Sequence, residues 1–176
     1  MDLSPDDSVV IQTAVMIVDD DPVVRKVVGD LLAMHDDLRV VGVFANGPDA
    51  LAAAAAQPPD VMVVDISMPG MSGAEVTRRA LEDNPSIHVM AYTALADNRL
   101  LAGMLNAGAA GVVYKDASIA AVADAIRATR SGLSVLSRPY NRREPQPELD
   151  ASISDTELAI LRLVSEGMTN DQIGRR

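Results

Sequence analysis

Short apolar runs and amphipathic helical stretches alternate five times within the first 130 residues, and this alternation restricts the chain more than any other feature. The runs are AVMIV (14–18), RVVGVF (39–44), VMVV (61–64), IHVMA (87–91) and GVVY (111–114). Between them Val23, Val24, Val27, Val28, Leu31 and Leu32 recur at helical spacing, as do Leu100, Met104 and Leu105, and Ile119, Val122 and Ile126. LAAAAAQ reads as the second helix because alanine is the best helix former. Ser72 with Glu75 makes a capping box for the third. Continuous apolar strands joined through helices imply a parallel sheet covered on both faces. The expected fold is α/β, a five-stranded doubly wound parallel sheet in the order 2-1-3-4-5, with the loops after the strands gathered along one edge.

Nearly half of the residues are apolar, ample for a core, but only 2% are aromatic, so Val, Ile, Leu, Met and Ala must fill it. The nine methionines read as packing. There is no cysteine, hence no disulfide framework or thiolate metal site. No apolar run has the length of a membrane span, and MDLSPDDS lacks the features of a signal peptide. A cytoplasmic protein without a membrane partner is expected. The net charge of -10 disfavours nonspecific adhesion to DNA or anionic lipid.

Residues 131–150, SGLSVLSRPYNRREPQPELD, carry three prolines and mixed charge, which is linker composition. Helical signals return over 151–176. Ser154 with Glu157 and Thr169 with Gln172 form two capping boxes, Gly167 stands where the first of these helices ends, and Leu158, Leu161 and Val164 give that helix an apolar face. The expected division is therefore 12–130, a linker over 131–150, and a partial helical unit over 151–176.

The run AVMIV leads straight into Asp19, Asp20 and Asp21. In a doubly wound sheet ligands bind where the strand order reverses, between the first and third strands. The third strand ends at Asp65, so the acidic strand ends converge, and Thr93 and Lys115 reach the same edge after the fourth and fifth. Hard carboxylate oxygens with a nearby loop carbonyl suit Mg²⁺. Asp21, before Pro22, is placed to cap the first helix.

The set Asp19–Asp20, Asp65, Thr93 and Lys115, together with the text VVDISMPGMSG, resembles the receiver domain of two-component response regulators, which has the flavodoxin/CheY-like fold. The resemblance implies that Asp65 is the phosphoryl acceptor, and that Asp19, Asp20, Asp65 and the Ser67 backbone carbonyl hold Mg²⁺. Thr93 would bond a phosphoryl oxygen, small Ala94 would leave room beside it, and Lys115 would neutralise the third oxygen. It also implies a histidine kinase as partner, no turnover enzyme activity, and a homodimer on activation. Two positions depart from the pattern. The aromatic usual three residues before the lysine is replaced by Val112, with Tyr114 next to the lysine instead, so signalling is expected to depend on Lys115 more than on Val112. Asp116 stands where many relatives carry proline, so the bond before it is expected to be trans.

YKDAS, IRATRSGLSVLS and the tail SISDTELAILRLVSEGMTNDQIGRR are similar to the NarL/FixJ (LuxR-type) helix-turn-helix family. In that family the DNA-reading helix would follow Arg176, which leaves Arg175 and Arg176 as phosphate contacts. A full-length parent is thus expected to bind DNA, and this chain not to bind it specifically. Two rival readings exist. Asp19, Asp21 and Val23 spell DxDxV, the motif of haloacid-dehalogenase-type phosphatases, with Asp19 as nucleophile and Asp21 as acid/base. The same fold also serves as a phosphorylation-independent interaction module.

Overall fold

The computed structural model describes residues 12–94 and 97–136. The expected partial helix-turn-helix unit and most of the linker lie outside the described residues. The described chain alternates strand and helix throughout: β1 Thr13–Val18, α1 Pro22–Leu32, β2 Leu38–Phe44, α2 Gly47–Ala56, β3 Val61–Asp65, α3 Gly73–Asp83, β4 His88–Thr93, α4 Asn98–Asn106, β5 Gly111–Tyr114, α5 Ile119–Arg130 and β6 Val135–Leu136. All strand pairs are parallel, in the order β2-β1-β3-β4-β5-β6.

The doubly wound sheet is the expected one with one addition, the two-residue β6 on the β5 edge. Its residues sit in a stretch of linker composition and are too few to show a period. Pairing Gly111↔Val135 and Val112↔Leu136 brings them into the sheet.

Side chains alternate across each strand, so each of β1 to β5 feeds two cores. On one face Met16, Val18, Met62, Val64, Val89 and Ala91 pack with Ala50 and Ala54 of α2, Val76 and Ala80 of α3, and Met104 of α4. On the other, Val15, Ile17, Val61, Val63, Met90 and Tyr92 pack with Val28 and Leu32 of α1 and Val122, Ala123 and Ile126 of α5. Met16, Met62, Met90 and Met104 are fully buried, so these methionines are packing.

Each helix begins at a side-chain cap. Asp21, Asn46, Ser72, Asp97 and Ser118 accept hydrogen bonds from backbone N–H groups of the first turn. The apolar residues of α1 recur at helical spacing, as expected, but are only partly buried. Val28 and Leu32 are buried, but Val23, Val27 and Leu31 are 67%, 47% and 37% exposed, because six apolar residues span more of the helix circumference than the sheet covers.

Candidate functional site

β1 pairs with β3 in the register Val18↔Val64, so the next residues, Asp19 and Asp65, stand side by side at the carboxyl ends of both strands. This is the crevice where the strand order reverses. Carboxylate oxygens of Asp19, Asp20 and Asp65 lie within 4.8 Å of one another. Asp19 is 1% exposed and Asp65 7%, whereas Asp20 faces solvent.

The backbone around Asp19 is tied on every side. Its N–H donates to the Phe44 carbonyl at 3.1 Å, its Oδ1 accepts from the Asp21 N–H at 2.9 Å, and Arg25 Nη1 donates to its carbonyl at 2.5 Å. Asp21 caps α1, its Oδ1 accepting from Val23 N–H at 2.8 Å and Val24 N–H at 3.3 Å. The third acid of the run is therefore structural. Its engagement also argues against the phosphatase reading, which needs that side chain free for proton transfer.

Lys115, from the end of β5, supplies the counter-charge. Its Nζ lies 2.7 Å from Asp19 Oδ2 and 2.9 Å from Asp65 Oδ2. Burial works against the ammonium, but the two carboxylates beside it outweigh that and hold the lysine above its ordinary range. Burial pushes the Asp19 carboxyl up, and the neighbouring Lys115 ammonium only partly offsets that. Close as it is to Lys115, buried Asp19 Oδ2 makes no well-oriented hydrogen bond. A buried oxygen left so, with two further carboxylates beside it and one of them open to water, fits a hard divalent cation that keeps several waters.

Thr93 closes β4 one residue after Tyr92, the partner of Asp65 across the sheet, and is 1% exposed. Its carbonyl accepts from the Lys115 N–H at 2.8 Å, which joins the ends of β4 and β5. Ala94 follows it, exposed. Ser67 stands two residues past Asp65 and donates its N–H to Asp65 Oδ1 at 3.4 Å. Asp19, Asp20, Asp65 and Lys115 form one constellation, and Ser67, Thr93 and Ala94 lie along the same edge. Among the described residues no peptide bond is cis, the one before Asp116 included.

Three residues near the site escaped the sequence reading. Arg25 had a signal, a cation one turn into the helix after the acids. Gly73 had one in closing the text VVDISMPGMSG, though without a role of its own, and Tyr92 had none, because what matters about it is a contact with Lys115, distant in the chain.

A parallel α/β sheet with an acidic cluster and a lysine at its switch point is the arrangement the sequence resemblance implies for a receiver domain. Residues 15–127 match the family described as "Response regulator receiver domain", and the chain belongs to that family. It is 33% identical over 164 residues to the response regulator protein VraR of Staphylococcus aureus, covering 90% of this chain and 78% of that protein. Among solved structures it is similar to a LuxR-family two-component response regulator from Aurantimonas sp. SI85-9A1, with a TM-score of 0.68 and 28% identity over 72% of this chain and 90% of that one. It is also similar to a LuxR-family DNA-binding response regulator from Staphylococcus aureus, with a TM-score of 0.64 and 25% identity over 67% and 98% of the two chains. These relatives place it in the NarL/FixJ type of two-component response regulators, which does not favour the phosphatase or the interaction-module reading. Among the described residues no helix is long and apolar enough to cross a membrane.

Proposed function

We propose that Asp65 accepts a phosphoryl group from a histidine kinase or a small phosphodonor, and that the modified chain pairs with a second copy to control transcription. The observation that carries this reading is the sharing of Lys115 by Asp19 and Asp65 within a three-carboxylate cluster. An Asp65 carboxylate oxygen attacks phosphorus. The P–N bond of a phosphohistidine breaks, its electron pair leaving with the imidazole, which takes up a proton. With acetyl phosphate the P–O bond breaks and acetate leaves. The product is an acyl phosphate, and water later attacks its phosphorus to return the carboxylate and inorganic phosphate. Such a transfer needs alignment and charge neutralisation more than proton chemistry.

Asp19, Asp20, Asp65 and the Ser67 carbonyl would hold Mg²⁺, which supplies positive charge to phosphoryl oxygens when bound. Lys115 turns from Asp19 to a phosphoryl oxygen, the Thr93 hydroxyl donates to another, and Ala94 leaves room beside it. The chain is a phosphoacceptor that catalyses its own modification and is not a turnover enzyme. The receiver spans 12–130 with β6 added to its sheet, and is followed by a linker to 150 and the start of a LuxR-type DNA-binding unit over 151–176. A cytoplasmic location fits a partner of the histidine kinase class. DNA is a target of the full-length regulator, while this chain, with net charge -10, binds no DNA specifically.

Incubation with acetyl phosphate and Mg²⁺ followed by intact mass measurement tests the assignment. The chain should gain one phosphoryl mass, and Asp65→Asn should gain none. A gain that persists in Asp65→Asn overturns it. Persistence in that variant with loss in Asp19→Asn would instead revive the phosphatase reading.

A further inference from the structure

The two cores of the sheet receive different reports from the site. Thr93 lies on the same face of β4 as Ala91, and Ala91 pairs with Val112 in the core shared with α3 and α4. On that face Val112 offers no ring, and the ring present belongs to Tyr114, the cross-strand partner of Thr93. Lys115 lies on the opposite face of β5, in line with Val113, which pairs with Tyr92. The Lys115 ammonium sits 5.8 Å from the centroid of the Tyr92 ring. That ring is 5% exposed and packs in the core formed with Val28 and Leu32 of α1 and Val122 and Ile126 of α5. Burial pushes the Tyr92 hydroxyl up, so Lys115 faces a neutral ring and not a phenolate.

We propose that Tyr92 is the positioning residue that couples this site to the α1–α5 layer: its ring holds the Lys115 ammonium from beneath and responds when that ammonium exchanges the Asp19 carboxylate for a phosphoryl oxygen. The inference rests on the phosphoacceptor reading of Asp65. Its physical basis is that a cation over a ring face is held by the ring quadrupole, and the hold weakens as the cation moves off the face. A close-packed core passes a ring displacement to the helices that touch it, since it has no free volume to absorb one. Thr93 and Val112 lie on the other face, so the α3–α4 layer is not reached through this ring.

The test uses the full chain with acetyl phosphate and Mg²⁺, with phosphoryl uptake followed by intact mass and hydrogen exchange followed by peptide. Wild type and Tyr92→Phe, which keeps the ring, should both change exchange in α1 and α5 on phosphorylation. In the phosphorylated fraction of Tyr92→Leu, identified by intact mass, that response should be lost, while any change in α3 and α4 persists. An α1–α5 response in Tyr92→Leu equal to wild type overturns the proposal, as does a wild-type response confined to α3 and α4. Absence of phosphoryl uptake in wild type strikes the Asp65 reading, and this inference falls with it. Should Tyr92→Leu fail to fold, a second measurement decides. The chain has three tyrosines and no tryptophan, so Tyr114→Phe with Tyr140→Phe leaves Tyr92 as the sole emitter. Its emission should shift on phosphorylation, and an unchanged emission overturns the coupling.

Discussion

At the scale of single residues, Gly73 decides where Asp65 can sit. A Cβ at this position would fall on the Asp65 carbonyl oxygen and 3.0 Å from the Ile66 Cα, both backbone atoms with no side-chain freedom to yield. The Gly73 N–H also donates to the Ile66 carbonyl at 3.0 Å, so the start of α3 and the end of β3 are pressed together behind the site. Gly73→Ala should cost about 3 kcal/mol, the upper end for overpacking. A urea unfolding curve would measure it, with phosphoryl uptake falling alongside. Full stability in that variant would mean that the β3–α3 approach relaxes freely. Asp19, Asp20, Asp65, Thr93 and Lys115 were legible in the sequence because strand ends are visible as the limits of apolar runs. Gly73, Arg25 and Tyr92 were not. Arg25 and Gly73 act on backbone only six to eight residues away, at a closeness that the folded turn alone sets, and Tyr92 acts on Lys115 of the neighbouring strand end, a contact no local pattern records.

At the scale of elements, α5 is fastened to the turn between α1 and β2 by one arginine. Arg127 Nε donates to Asp37 Oδ2 at 2.7 Å and its Nη2 to Asp37 Oδ1 at 2.9 Å, a two-pronged grip on one carboxylate, while Nη1 holds Asp124 at 2.7 Å. The guanidinium lowers the Asp37 carboxyl from 3.8 to about 2. A carboxyl whose folded value is depressed stabilises the fold above its unfolded value, and that contribution disappears as pH falls through the folded one. The difference in stability between wild type and Asp37→Asn should therefore be constant above pH 3.8 and vanish as pH falls through about 2. Asp37 is 41% exposed, so solvent screening keeps the difference below about 1 kcal/mol. Thermal melts of both chains across that range would check it, and a gap that widens toward low pH would contradict it. All ten elements from β1 to α5 were anticipated from periodicity and caps. The sixth strand and the exposed stripe of α1 were not, the first for want of length and the second because apolar spacing does not report how much of a helix its neighbours cover.

For the whole molecule, the concentration of charge at one sheet edge links folding to metal. Three carboxylates converge there, and Lys115 is the cation paired with two of them. A ligand that binds only the folded chain stabilises it by mass action, by about 2.7 kcal/mol when present at about 100 times its dissociation constant. Mg²⁺ should therefore raise the melting temperature in a concentration-dependent way, and Asp19→Asn should abolish the rise. An equal rise in both chains would place the cation elsewhere. Phosphorylation should also increase the particle size in solution if activation proceeds through pairing, which light scattering before and after acetyl phosphate would register.

The short strand at the end of the sheet bears on how the protein keeps in storage and expression. An uncovered edge offers a row of hydrogen-bonding groups to any extended chain nearby, and very short edge strands are one way of blunting it. β6 covers β5 with two residues, and it fits because Gly111 has no Cβ; one added there would stand 2.6 Å from the Val135 carbonyl oxygen. Gly111→Ala should therefore dislodge β6 and bare the β5 edge beside the already exposed Leu133 and Leu136. The expected result is a chain that still folds but clouds on concentration, readable as turbidity over days against a clear wild-type control. A variant that stays clear would show that the edge is harmless without its cover.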